Sequence, residues 1–211
     1  EKRLLNNINA SVNSTGVSVV LGANGAGKSL FVRLLHGLLQ AEKKAIQWNG
    51  QTLDLATRKR QALVFQKPVL LRRSVSANIE FVLKKSIFDR IRLRSKTLNL
   101  MQRRDAILHE AGLFDQRNQP ARLLSGGEQQ RLAIARAIVS RPSILIADEP
   151  TGNLDKSYAD EIMNIFYSFQ QVGVTVIVSC HELPKSPIKY KQIHLIKGQI
   201  TNSDSHVPLL S

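Results

Sequence analysis

The sequence predicts an α/β fold in which helices cover a mainly parallel β-sheet. The apolar run 17–21 is typical of a buried strand, and a glycine-rich segment and an apolar helical pattern from Leu30 to Leu39 follow it. A second alternation of helix and strand begins after residue 125. Such alternation favours parallel pairing, because each helix can serve as the crossover between two strands.

Two features modify this plan. A turn signal at Asn49-Gly50 lies inside a β-like stretch and predicts an antiparallel β part, and residues 62–65 predict a further strand. Residues 74–124 combine helical periodicity with dense positive charge, which predicts an inserted helical lobe. The core is therefore expected over 1–73 and 125–200. Within its second part we expect helices over 127–140 and 155–171, strands over 144–147 and 174–178, and a loose tail over 201–211.

Composition excludes several classes of protein. The 211 residues suffice for one domain with an inserted lobe, and a hydrophobic content of 43% is that of a globular chain. No apolar run reaches the roughly 18 residues of a membrane span. The single cysteine, Cys180, excludes an internal disulfide and fits a reducing compartment. The net charge of +14 indicates an anionic neighbour, which could be nucleic acid, a membrane surface or a phosphate-bearing ligand.

The glycine-rich segment matches the phosphate-binding loop pattern between a strand and a helix. Its glycines would let backbone N–H groups turn towards phosphate oxygens, and the helix N-terminus would add positive potential. Lys28 would reach the β- and γ-phosphates and Ser29 would ligate Mg²⁺. The predicted ATP-binding residues are Gly22, Ala23, Asn24, Gly25, Ala26, Gly27, Lys28, Ser29 and Leu30.

An apolar strand over 144–147 ends in two adjacent carboxylates, Asp148 and Glu149. At the end of a buried strand Asp148 could hold Mg²⁺ while Glu149 faces the attacking water. Paired acids at a strand end could equally begin a solvated loop. The phosphate loop favours the catalytic interpretation, because the two segments would form halves of one site.

The segment 124–131 is the most specific in the chain. Ser125 and Glu128 are spaced as a helix capping box, and the same serine and glycines could present a phosphate site to a nucleotide on a second subunit. With the phosphate loop upstream and the acidic strand downstream, the chain resembles the ATPase subunit of an ABC transporter from about residue 3 to 201. The expected fold is thus a P-loop NTPase cassette.

The resemblance implies roles for further residues. It makes Gln66 a ligand near the metal and water that also relays to a membrane subunit, His181 a contact of the γ-phosphate, and Asp155 part of a loop at the dimer interface. Catalysis would rest on Glu149, His181, Gln66 and Lys28, with Ser29, Gln66 and Asp148 around the metal. The residues that would contact ATP on the second copy are Ser125, Gly126, Gly127 and Glu128.

The resemblance also implies cofactors, partners and a cellular location. ATP and Mg²⁺ would be the cofactors, and a head-to-tail pair of chains would work on a transmembrane permease at the cytoplasmic face of the membrane, with a substrate-binding protein if the system imports. No direct nucleic-acid contact is expected. The family's adenine-stacking aromatic would fall at or before residue 1, so we expect residues upstream to be missing, the alternative being a cassette with weak base selectivity.

The cargo has two candidates within the family. Residues 63–75 are similar to cassettes of tungstate-type oxyanion importers, whereas 149–155 are similar to cassettes of lipoprotein-release and macrolide-export systems. The basic residues fit a solvated or lipid-proximal face, or else a nucleic-acid- or ribosome-associated ATPase, which the single cassette without a heptad run disfavours. A further alternative is a regulatory cassette without turnover. The presence of Lys28, Asp148, Glu149 and His181 disfavours this last alternative.

Overall fold

The chain folds into two compact units. A computed structural model describes residues 4–12, 16–41, 45–85, 97–152, 156–182 and 190–202. The first unit comprises Glu1–Gln66 and Pro142–Ser211, and the second comprises Lys67–Arg141. Within the described ranges, no helix has both the length and the apolar character that crossing a bilayer requires.

A six-stranded sheet forms the centre of the first unit, in the order β4-β5-β6-β1-β7-β8. The first five strands of that order pair in parallel, and β7 pairs antiparallel with β8. β1, β5 and β6 are buried along their whole length, which is why their sequences are apolar without alternation. The strands are β1 Val17–Leu21, β4 Gln61–Val64, β5 Ile144–Asp148, β6 Thr175–Cys180, β7 Lys191–Ile196 and β8 Gln199–Asn202.

The predicted antiparallel part is a short hairpin of β2 (Gln47–Trp48) and β3 (Gln51–Thr52). Asn49 and Gly50 form its turn with φ of 50° and 76°. Two successive positive φ values define the turn type that matches the twist of paired strands, so the Asn-Gly signal is confirmed.

Helices cover the sheet of the first unit. α1 (Lys28–His36) packs on β4, β5 and β6, and α6 (Lys156–Gln171) packs on β6. The N-cap of α2 (Leu55–Lys59) is Asp54, whose side chain accepts a hydrogen bond from the N–H of Thr57. A hydrophobic cluster joins α1 to the strands and includes Val20, Phe31, Val32, Ile146, Ile177, Ile193 and Leu195.

The second unit is helical. It contains α3 (Val75–Lys85), α4 (Thr97–Glu110), a short 3₁₀ helix (Ala121–Leu123) and α5 (Gly126–Val139). Its lobe was predicted over 74–124, but the observed unit extends to Arg141. The reason is that α5 buries its apolar face against α3 and α4. The shared core consists of Val75, Ile79, Leu83, Leu108, Leu113, Leu132, Ala135, Val139 and their neighbours.

Element boundaries differ from the predicted ones by a few residues. The helix predicted to continue to Leu39 ends at His36, because Gly37 adopts φ 77° and donates its N–H to the carbonyls of Arg33 and Leu34. The strand predicted over 174–178 extends to Cys180. Thr201 was assigned to a loose tail, yet it belongs to β8 because it lies on the strand that pairs with β7. Residues 203–211 lie outside the described ranges.

Candidate functional site

The phosphate-loop segment connects the end of β1 to the first turn of α1. Gly27 adopts φ 103°, a conformation that only glycine reaches easily, and accepts the first helical hydrogen bond, N–H of Phe31 to its carbonyl at 2.9 Å. A side chain on Gly22 would run into the carbonyl oxygen of Leu195. Both glycines are therefore required by the geometry of the loop.

Lys28 points back into the loop and is 3% exposed. Its ammonium donates to the carbonyls of Gly22 at 2.7 Å and Ala23 at 3.1 Å, and it lies 3.0 Å from Glu149 Oε1. The loop thus closes around its own lysine, and the carboxylate of Glu149 pairs with that charge. A buried charge is tolerated when it is paired and hydrogen-bonded in this way.

Glu149 lies directly after β5 and is 8% exposed. Its Oε2 is 3.1 Å from His181 Nε2, while His181 Nδ1 is 3.4 Å from Lys28 Nζ. An ammonium can only donate, so the arrangement suits the tautomer in which Nδ1 accepts and Nε2–H donates to Glu149. Lys28, Glu149 and His181 therefore form one closed network at the carboxyl ends of β1, β5 and β6.

Asp148 is the last residue of β5 and is 1% exposed. Its Oδ1 accepts from Ser29 Oγ at 2.8 Å and from Ser179 Oγ at 3.2 Å, and its Oδ2 accepts from Arg33 at 3.2 Å. A hydroxyl and a carboxylate that already lie this close are the hard oxygen ligands that Mg²⁺ takes.

The donor set fits Mg²⁺ in a further respect. In the part of the chain that the structure describes, no three His, Cys, Asp or Glu side chains are grouped to hold a metal. Mg²⁺ at nucleotide sites needs only one or two protein carboxylates, because phosphate oxygens and waters complete its shell. One carboxylate, Asp148, and one hydroxyl, Ser29, meet that requirement.

Gln66 and Gly152 border Glu149. A Cβ on Gly152 would lie 3.1 Å from Gln66 Nε2 and 3.7 Å from Glu149 Cβ, so Gly152 lies beside both side chains. Two predicted residues remain, Asp155 and Leu30. Asp155 lies outside the described residues. The half-buried Leu30 lines a separate cavity of about 1720 Å³ with Phe31.

The second predicted half of the site lies in the second unit, at the start of α5. The capping box is confirmed: Glu128 N–H donates to Ser125 Oγ at 3.3 Å, and Glu128 Oε2 accepts from the N–H of Ser125 at 2.8 Å. The hydrogen bond from this N–H, followed by that from the Ser125 hydroxyl, lowers the pKa of Glu128. Ser125 and Gly126 are exposed and Gly127 is buried.

Sequence reasoning missed two residues that touch the carboxylates. Ser179 is fully buried in β6, and its Oγ also accepts the N–H of Glu149 at 2.9 Å. Arg33 reaches Asp148 from α1. Neither belongs to a motif, and the only available signal was a polar residue directly after the apolar run 176–178. The next residue, Cys180, has its pKa raised to about 12 by burial and by the charge of Glu149.

Comparison with known proteins identifies the family to which this chain is similar. A sequence model of the ABC transporter family matches residues 5–152. The cell division ATP-binding protein FtsE of Escherichia coli (strain K12) is 31% identical over 199 residues, covering 90% of this chain and 86% of that protein. The lipoprotein-releasing system ATP-binding protein LolD of Aquifex aeolicus (strain VF5) is 30% identical over 213 residues, covering 97% and 92%.

A solved structure shares the fold. An ATP-binding cassette determined as a dimer in a post-hydrolysis state, with ADP and Pi bound, matches with a TM-score of 0.80 and 25% identity. The match covers 96% of this chain and 90% of that one. The predicted cassette fold, with its mainly parallel sheet, antiparallel strands and helical part, is confirmed.

Proposed function

This chain belongs to the ABC transporter family of ATP-binding proteins and is an ATPase, and from that premise we propose that it hydrolyses ATP at the Lys28–Glu149–His181 network to drive a membrane partner. The observation that carries the proposal is the meeting of these three side chains within 3.4 Å of one another, beside Asp148 and Ser29. These side chains lie together at the carboxyl ends of β1, β5 and β6.

Each residue has a role that follows from its contacts. Lys28, held by two loop carbonyls, offers its remaining hydrogen-bonding capacity to phosphate oxygens of ATP. Glu149 then exchanges its contact with Lys28 for the attacking water and orients it as the general base. His181 keeps its Nε2–H on Glu149 and places its ring beside the γ-phosphate, and Gln66 borders the same space.

Asp148 and Ser29 would hold Mg²⁺, with Gln66 as a third contact. The metal when bound supplies charge neutralisation for the phosphates. The chain itself contributes the orientation of the carboxylate, because Ser179 and Arg33 fix its two oxygens from different sides. Hydrolysis therefore depends mostly on positioning and charge compensation.

The start of α5 fits the role of a site completed by a second copy. Ser125 and Gly126 are exposed at a helix N-terminus, where backbone N–H groups attract an anion. We propose that Ser125, Gly126, Gly127 and Glu128 of one chain contact the ATP of another in a head-to-tail dimer. Asp155 would lie at that interface. The dimeric cassette of similar fold supports this assembly.

The membrane partner is proposed to be a permease at the cytoplasmic face of the membrane. Of the cargo candidates, the lipoprotein-release type gains support from the relative LolD, whereas the tungstate expectation gains none from the similar proteins described above. We therefore favour a partner of the kind that serves such release or division systems. A substrate-binding protein would be needed only by an importer.

A pull-down of the tagged Glu149→Gln variant tests the proposal. The variant is extracted from its own cells in mild detergent with ATP and Mg²⁺, because slow hydrolysis should keep the closed dimer on its partner. Lys28→Ala, which should bind ATP poorly, is the matched control. Recovery of a polytopic membrane protein with the first variant and not the second would support the proposal. Recovery of ribosomes or DNA without a membrane protein would contradict it and favour the nucleic-acid alternative.

A further inference from the structure

We propose that Ser179 is a positioning residue that couples the metal-binding carboxylate of Asp148 to the backbone of the general base, Glu149. This inference rests on the proposed function. It assigns a role to a residue outside the phosphate loop, the acidic strand end and the α5 segment.

The first step is the direction of the hydrogen bonds. The N–H of Glu149 donates to Ser179 Oγ at 2.9 Å, and Ser179 Oγ donates to Asp148 Oδ1 at 3.2 Å. One hydroxyl thus accepts from one residue and donates to the other, and both bonds are fully buried. Hydrogen bonds in such a chain polarise each other, which strengthens both in a low-dielectric interior.

The second step is the backbone of Glu149, which adopts φ 45°. This left-handed conformation is unfavourable for a residue with a side chain, so surrounding contacts must maintain it. The bond from its N–H to Ser179 is one such contact, and the pairing of its carboxylate with Lys28 and His181 supplies the others. When Glu149 leaves Lys28 to orient water, Ser179 retains the backbone geometry.

The third step is the position of Ser179 in the sheet. In the parallel ladder Ser179 pairs with Asp148, and it follows three fully buried apolar residues, Val176, Ile177 and Val178. A hydroxyl in such surroundings is unfavourable unless both its donor and its acceptor are used, as they are here. The carboxylates on the next strand therefore account for a serine at this position.

The chain supplies a matched control in Ser18. This serine lies in β1, is 1% exposed, and has a buried hydroxyl oxygen without a hydrogen-bond partner among the described residues. Ser18→Ala and Ser179→Ala each remove one buried hydroxyl from a central parallel strand. Only the second removes contacts to the Asp148 carboxylate and the Glu149 backbone.

The experiment measures ATP turnover against Mg²⁺ concentration, and ATP affinity by calorimetry with Mg²⁺ and with EDTA. For Ser179→Ala we expect kcat to fall about 10- to 100-fold and the half-saturating Mg²⁺ concentration to rise about tenfold, as for other residues that orient a metal ligand. ATP affinity in EDTA should stay within about twofold, since Lys28 and the loop are untouched. Ser179→Thr, which keeps the hydroxyl, should restore most of the Mg²⁺ dependence.

The outcomes separate the inference from the proposed function. Thermal unfolding first checks that Ser179→Ala is folded. If the wild type, Ser18→Ala and Ser179→Ala then hydrolyse ATP with the same Mg²⁺ dependence, the inference is overturned and the proposed function stands. Equal losses in both alanine variants would indicate a structural effect of lost hydroxyls and would also overturn it. If the wild type neither binds nor hydrolyses ATP, both proposals fail.

Discussion

The chain has two glycine-rich helix N-termini, at α1 and at α5, and they differ in burial and in the residues that contact them. At α1 the lysine of the loop is buried, and its charge is compensated by Glu149 from another strand. At α5 the serine and the first glycine are exposed, and the hydrogen bonds between Ser125 and Glu128 span only three residues. The first site is built by contacts between distant segments, whereas the second is built mainly by contacts between residues close in sequence.

This difference indicates whether each site is completed by residues of its own unit or by another molecule. The α1 site has its proposed base, histidine and metal ligands within its own unit, so we expect it to position a bound nucleotide internally. The start of α5 is capped by Ser125 and Glu128, and its exposed Ser125 and Gly126 offer a surface instead. Such a surface suits a ligand carried by another molecule. The following predictions test this contrast, from the largest expected effect to the smallest.

Glu149→Gln should lower turnover by about 10²- to 10⁴-fold, because a positioned general base contributes on that scale. ATP binding should persist, since the amide still fills the space beside Lys28. Steady-state phosphate release and calorimetry measure the two quantities. Glu110→Gln, an exposed glutamate of α4, is the control and should leave both unchanged. Turnover within tenfold of wild type would remove Glu149 from the role of base.

Lys28→Ala should weaken ATP binding by about 10²-fold, the scale of a lost hydrogen bond between charged groups. The charge serves bound substrate and transition state alike, so binding itself is affected. Calorimetry with ATP measures it, and Lys59→Ala, an exposed lysine in α2, serves as control. Unchanged affinity would mean that the buried ammonium serves only to pair with Glu149.

Ser125→Ala should reduce the free energy of unfolding by about 1 kcal/mol through loss of the cap. It should also lower ATP turnover if a second copy uses the serine. Ser74→Ala is the matched control, because Ser74 Oγ accepts the N–H of Ala77 at the start of α3 in the same unit. We expect comparable destabilisation from both variants, measured by urea unfolding, with reduced turnover only in the first. Equal turnover would reduce the α5 motif to a helix cap.

Glu128→Gln should reduce stability by about 0.5 kcal/mol at neutral pH, a small effect because the carboxylate is partly exposed. The pKa of Glu128 is lowered, first by the N–H of Ser125, below its ordinary value of 4.5. The ionised form therefore stabilises the folded state above that value, and the contribution is lost as pH falls through the lower folded pKa. Urea unfolding at several pH values should show the difference from wild type shrinking towards pH 3; a constant difference would contradict this.

Local signals explain what the sequence could predict. Asn49-Gly50 and the Ser125–Glu128 spacing act over a few residues, so their geometry follows from backbone preferences. The contacts of Ser179 and Arg33 with Asp148 span 31 and 115 residues, and no local pattern encodes them. For the same reason α5 could not be assigned to the helical unit in advance. Its apolar face would suit a sheet or a helical core equally well.

Cys180 has a practical consequence for experiments on this protein. It is the single thiol of the chain, it is buried, and its pKa of about 12 keeps it protonated at neutral pH. Since thiolates are the reactive form of cysteine towards maleimides and peroxide, the Cys180 thiol should resist both alkylation and oxidation. A cysteine introduced on the surface would therefore be the only one to take up a fluorophore, so distance measurements between labelled copies need no cysteine-free background.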